Sequence, residues 1–429
     1  MKIKQLTSNP AKPAPIQVTL SRPHVIRDLD VAGSPGATVA TPSPASSVAR
    51  PLTWLGAYSP HGLALPAAHP TSKQMYGPRG VWLDEERLIV CDSGNHRVLI
   101  WNSVPVQDGQ PADIVLGQPD FESEGPACGC GDPVRGCFLP TGVIVAGNQL
   151  LVADAWHHRI LVWRRVPNTS ATVPDFAIGQ SALNHVEPNR GTGRPTLASL
   201  YWPYGLAYQG GRLWVADTGN RRVLYWQGIP ERDQPANGLL GQPNPYSMSE
   251  NRGGNPAANS FRWPHDVTGN ENGLWVADAG NHRVLGWSSH PVHDVPADFL
   301  LGQSRMNECS EWPYAAQTDQ RLRFPYAICQ QGNVLAVADT ANNRVLFWRL
   351  PLSQTEFAPA SDVVGQLDFS SFGENHWKAV TRSSLCWPYG VCLYKGVLAI
   401  ADSGNNRIML WDVNAIIEEA AKSSNDQNK

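Results

Sequence analysis

The sequence predicts an all-β fold, a six-bladed β-propeller of four-stranded antiparallel blades, on three observations. A hairpin-like stretch at Leu213–Trp226, LWVADTGNRRVLYW, returns five more times, as IVCDSGNHRVLIW, LVADAWHHRILVW, LWVADAGNHRVLGW, LAVADTANNRVLFW and LAIADSGNNRIMLW. The copies are in phase: Asp92, Asp154, Asp217, Asp278, Asp339 and Asp402 lie 61 to 63 residues apart. Each copy is flanked by two further strand-like segments. One opens with a Pro 14 residues before the Asp, and the other ends in Gly-Gln in the first five copies.

The runs of Val, Leu, Trp and Tyr suit a pleated, buried surface, and short Gly-Asn turns join them. An Arg follows each Asp by five residues and a Trp by nine. A residue present in every copy answers a need common to all blades, which is architecture. The Asp and Arg should meet across the hairpin, partly buried, and the Trp rings should pack blade against blade. The Gly-Gln pairs read as devices that bond strand ends.

Residues 1–50 are rich in Pro, Ala, Ser and Thr and read as a flexible arm, in which Ile16–Leu20 (IQVTL) has the composition to pair with a sheet edge. The propeller spans 51–414. Its sixth unit lacks a Gly-Gln strand, and Leu52–Tyr58 (LTWLGAY) resembles one, so this N-terminal strand is expected to complete the last blade and close the ring. Residues 415–429 read as a helical turn followed by a polar tail.

With 38 Gly and 36 Pro the chain has material for many turns, and the repeat accounts for its 16 Trp. A net charge of −3 argues against a polyanion-binding surface taken as a whole. No apolar run is long enough to span a membrane, and no apolar core follows the N-terminal lysines, so the expectation is a cytoplasmic protein with mostly reduced thiols.

The recurring D-[SAT]-x-N-x-R-[VI] motif resembles the NHL repeat, over residues 52–414. Unit two departs from it, with Trp156-His157 where others have Gly-Asn or Ala-Asn. The resemblance implies a six-bladed propeller and no single activity: such propellers are mostly protein- or RNA-binding modules, and a few related ones are enzymes.

Residues that differ between units are the candidates for function. Those following each strand-opening Pro are Arg79, Thr141, Tyr204, His265, Tyr326 and Tyr389, expected near the central mouth on the face that carries the long interblade loops. With Asp266 and the exposed Trp156 they form the candidate ligand- or partner-binding set. Similar propeller lyases of peptidyl-hydroxyglycine place metal-binding His at the position of His265. Here only one of six is His, and Arg79 would set a cation beside it. The loop PACGCGDPVRGC brings Cys128, Cys130 and Cys137 together, and His157 is the odd residue of a nearby turn. Three thiolates and an imidazole would make a tetrahedral site for zinc or another thiophilic metal, although this Cys spacing is not a metal signature. His290 and His293 are expected solvated on the opposite face.

No phosphate-cradling loop, GxSxG, HExxH or EF-hand loop is present. The leading reading is a non-enzymatic scaffold that presents its loop-bearing face to a protein or peptide partner. An enzyme or small-ligand binder using the channel mouth is the alternative. RNA binding ranks third, because the loop Arg residues are paired with Asp.

Overall fold

The computed structural model describes residues 49–57, 69–271, 273–312 and 315–427. They fall within one unit, 42–429; a unit of residues 1–41, with the IQVTL segment, lies outside them. The strands form six four-stranded antiparallel sheets. Blade one comprises Gly80–Leu83, Leu88–Asp92, Arg97–Trp101 and Ile114–Leu116, and blade two Pro140–Ala146, Gln149–Asp154, Arg159–Trp163 and Phe176–Ile178. Blade three comprises Pro203–Gln209, Arg212–Asp217, Arg222–Gln227 and Gly238–Leu240, and blade four Pro264–Asn270, Gly273–Asp278, Arg283–Trp287 and Phe299–Leu301. Blade five comprises Pro325–Gln331, Val334–Asp339, Arg344–Arg349 and Asp362–Val364. Blade six has Pro388–Tyr394, Val397–Asp402 and Arg407–Asp412, and Arg50–Gly56 pairs antiparallel with the last of these as its outer strand. After it, Asn414–Gln427 is an α-helix, longer than the single turn expected, whose Ile416 and Ala420 pack on the blade-six core.

The core lies between blades. Each apolar cluster draws its side chains from two neighbours, and one joins Leu88 and Val90 of blade one to Leu55, Ala401 and Ile408 of blade six. Neighbouring inner strands approach closely around the ring centre. A Cβ on Gly142 would lie 2.3 Å from the Tyr204 carbonyl oxygen of the next blade. Gly142→Ala is therefore expected to cost about 1–3 kcal/mol, measured by urea unfolding.

The Asp–Arg pairs are more deeply buried than the sequence suggested: all six are fully enclosed. In blade three, Arg222 Nε donates to Asp217 Oδ2 at 2.8 Å. Its other nitrogens donate to Thr196 O and Ser199 O in the preceding loop and to Pro245 O in the following one. The Asp accepts in turn from Tyr201 N and Asn220 Nδ2. One buried ion pair thus ties two long loops to a blade, and the charges are offset by hydrogen bonds on every side.

The residue just before each repeat Arg differs between copies, and it links blades. The side chain four residues after the repeat Asp accepts the N–H of the residue before the next blade's opening Pro. His96 Nδ1 takes Leu139 N, His158 Nδ1 takes Trp202 N, and His282 Nδ1 takes Phe324 N, at 3.1, 3.1 and 3.2 Å. Asn343 and Asn406 do the same for Trp387 and Gly77, the last joining blade six to blade one. All five pre-proline residues are held at φ of 51° to 53°, a left-handed conformation that costs a non-glycine residue energy. Blade three has Arg221 there, which cannot accept, and Trp263 N bonds Asp278 instead.

These imidazoles must be neutral to accept. Burial lowers His158 and His282 to about 4. A histidine with a folded value below its unfolded one binds fewer protons when folded. Stability is then full above the unfolded value of about 6.5 and falls as pH drops toward 4. The double variant His158→Asn/His282→Asn, which installs the residue used at 343 and 406, is expected to flatten the decline in melting temperature across that window.

Candidate functional site

Six residues from six blades meet at one end of the channel. Arg79, Thr141, Tyr204, His265, Tyr326 and Tyr389 line a cavity of about 240 Å³, together with Asp266. Arg79 Nη1 donates to Tyr204 Oη at 2.8 Å, and its guanidinium carbon sits 4.8 Å from the centre of the Tyr389 ring. The His265 ring lies 4.3 Å from both Tyr204 and Tyr326, and Tyr326 lies 4.7 Å from Tyr389. Burial, reinforced by Arg79, pushes His265 down to about 3, so it is neutral. Burial raises Tyr204 to about 12, keeping it a phenol. Asp266 stands where four other blades have glycine. Its Oδ1 accepts Val267 N and its Oδ2 accepts Ile328 N of blade five, each at 2.9 Å. Burial outweighs these two bonds and raises its carboxyl to about 7.

The other sequence candidates are placed differently. Trp156 is half exposed, with its ring 5.0 Å from Phe138, on the turn of blade two. His157 Nδ1 is 2.8 Å from Asp154 Oδ2, the place the turn Asn takes in every other blade. The odd residue thus replaces an asparagine in the repeat network, and its ring packs edge-on against Phe138, next to Cys137. Cys128 and Cys137 gather around Gly117: Cys128 Sγ is 3.7 Å from Gly117 O, and a Cβ there would meet Cys137 Sγ. Cys130 is exposed. Burial raises the Cys128 thiol to about 11 and Cys137 well above the usual range, which leaves neither activated as a nucleophile. Among the described residues no three His, Cys, Asp or Glu are grouped to hold a metal ion. His290 is not simply solvated: its Nε2 is 2.6 Å from Asn270 O and its ring stacks on Trp214.

A second cavity was not foreseen. A groove of about 370 Å³ runs across the turns and loops of blades four to six, walled by Trp263, Phe324, Tyr326, Phe372, Trp377 and Trp387. Trp377 is 73% exposed, and Phe372 and Trp387 are 39% and 38% exposed. Such exposure of large apolar rings side by side marks interaction surfaces. The walls are fixed from below. Phe324 and Trp387 are two of the left-handed pre-proline residues pinned by His282 and Asn343, and Trp387 Nε1 donates to Glu374 at 2.8 Å. Arg323, also in the groove, is neutralised by Glu311 at 2.7 Å. Ala341 of this groove occupies the turn position that Trp156 takes in blade two, so the groove and Trp156 share a face and lie three blades apart. The signal for the groove was the aromatic run FSSFGENHW in an interblade loop, outside the repeat positions.

Six four-stranded blades carrying this buried Asp–Arg hairpin define a repeat-built β-propeller. A family model described as NHL repeat matches residues 261–287. The chain is 23% identical over 363 residues to NHL repeat-containing protein 2 of Homo sapiens and 25% identical over 370 residues to that of Gallus gallus. Each match covers 78% of this chain and 46% of the relative, so the chain spans less than half the length of these relatives. The chain thus carries an NHL repeat and is similar over most of its length to NHL repeat-containing proteins. Among solved structures it is similar to a protein of unknown function from Bacteroides thetaiotaomicron (12% identity, 85% and 75% of the two chains, TM-score 0.45). It is likewise similar to a catalytically inactive virginiamycin B lyase from Staphylococcus aureus with quinupristin (12% identity, 80% and 97%, TM-score 0.41). No helix among the described residues is long and apolar enough to cross a membrane.

Proposed function

We propose that this propeller is a non-enzymatic scaffold that binds a protein or peptide partner on its loop-bearing face, through the aromatic groove of blades four to six. The carrying observation is the wall of Trp263, Phe324, Phe372, Trp377 and Trp387 on a rigid support, with its one arginine already neutralised. Tight interfaces concentrate their energy in such anchors, enriched in Trp, Tyr and Arg. Pinned side chains also lose little freedom on binding. RNA binding is disfavoured because the six repeat arginines, the chain's most regular cations, are fully buried against Asp. A zinc or other thiophilic ion on Cys128, Cys130 and Cys137 would take His157 through Nε2, since Nδ1 faces Asp154 Oδ2, a carboxylate–imidazole arrangement usual for a ligating histidine.

Random peptides displayed against the full chain test this reading. Selected binders are expected to lose about 30-fold or more in affinity on Trp377→Ala or Trp387→Ala, the size of an anchor worth about 2 kcal/mol. Binders that keep their affinity in both variants would place the partner face elsewhere.

A further inference from the structure

We propose that the channel mouth is a separate binding site for a carboxylate, with Arg79 as the cation that meets it. Three observations carry this. The first is the state of Arg79. Each repeat arginine has its own aspartate, but Arg79 has no carboxylate at ion-pair distance among the described residues, and of its five N–H donors one reaches a protein acceptor, Tyr204 Oη. This partly buried guanidinium rests on the Tyr389 ring and has no counter-charge, and an anion would add charge-assisted hydrogen bonds to its remaining donors.

The second is His265. It is 5% exposed, lines the same cavity, and its Nδ1 has no hydrogen-bond partner among the described residues. A buried polar nitrogen is ordinarily satisfied, and a ligand oxygen or an ordered water beside Arg79 would satisfy it. The third is size. The cavity of about 240 Å³ is smaller than the roughly 300 Å³ at which drug-sized pockets begin, so it takes a small molecule or the tip of a larger one.

Charge decides the ligand class. One cation matches a monoanion, and a phosphate dianion would leave surplus negative charge beside Asp266. That carboxyl does not compete for Arg79, because both its oxygens face backbone N–H groups of Val267 and Ile328. The flat rings of Tyr326 and Tyr389 suit a planar group. Tyr326 also walls the aromatic groove, so the carboxylate belongs either to a free small acid or to the C-terminus of a peptide lying in the groove.

Titration calorimetry on the full chain separates these. The probes are sodium acetate, sodium benzoate, sodium phosphate, and Ala-Ala-Phe as free acid and as amide, with sodium chloride holding ionic strength constant. The expected result is saturable one-site binding of at least one carboxylate, weakened tenfold or more by Arg79→Gln, with acetate and benzoate indifferent to Trp377→Ala because they do not reach the groove. A free-acid peptide that binds tighter than acetate and benzoate, with no binding of the amide, assigns the site to chain termini; the reverse order assigns it to small acids. Arg79→Lys, which keeps the charge without the fork, should fall between parent and Gln variant, and urea unfolding checks that each variant folds. No saturable heat with any carboxylate, equal affinity in Arg79→Gln, or tighter binding of phosphate would overturn the proposal. Because acetate and benzoate report on the mouth alone and Trp377→Ala reports on the groove, failure of either site leaves the other standing.

Discussion

Arg222→Met is expected to lower the unfolding free energy by about 3–5 kcal/mol, the cost of leaving one member of a buried ion pair without its partner. The figure is a sizeable share of a typical domain's net stability of about 5–15 kcal/mol. The physical loss is wider than one pair. Asp217 keeps only Tyr201 N and Asn220 Nδ2, and three loop carbonyls, of Thr196, Ser199 and Pro245, lose their donors. For that reason the double variant Asp217→Leu/Arg222→Met is not expected to recover stability, unlike ion pairs that an apolar pair can replace. The deficit should also depend on pH. Burial already raises the Asp217 carboxyl, and removing Arg222 raises it further. A carboxyl with a folded value above its unfolded one binds more protons when folded, so stability falls as pH rises between the two values. The deficit of Arg222→Met is therefore largest near neutral pH and shrinks on acidification. Urea unfolding at several pH values measures both effects.

Removing residues 1–56 is the second large effect. The strand Arg50–Gly56 pairs with Arg407–Asp412, buries Trp54 and Leu55, and sets the Trp54 ring 3.9 Å from the Arg407 guanidinium carbon. Loss of a buried Trp side chain alone costs about 3–5 kcal/mol. Its removal also bares the N–H and C=O groups of blade six as an open edge, a template for pairing with another chain. The shortened chain is expected to self-associate in light scattering and to melt well below the parent. A monomeric product with parental melting would mean that blade six does not need this strand.

Much of the ring could be read from the sequence because its elements repeat. Six copies of Asp, Arg, Trp and Pro in phase mark positions whose environment recurs in every blade, and the six residues after Pro were brought to one mouth by the same regularity. The reading failed where the chemistry depends on contacts between non-repeating parts. That His157 fills the asparagine's place beside Asp154 is not visible in the pattern it breaks. The His or Asn that pins five of the six pre-proline N–H groups spans two blades, and a blade-by-blade comparison does not show such a link. The groove joins pre-proline aromatics of three blades to Phe372 and Trp377 of an irregular loop, and no period marks that convergence.

The most direct test of the proposed partner face is a comparison of two exposed tryptophans on one face of the ring. Affinity of a display-selected peptide is measured for the parent, Trp377→Ala and Trp156→Ala. The proposed groove predicts a loss of about 30-fold for Trp377→Ala and less than about threefold for Trp156→Ala, three blades away. Equal losses, or a larger loss at Trp156, would contradict it and move the binding surface to blade two.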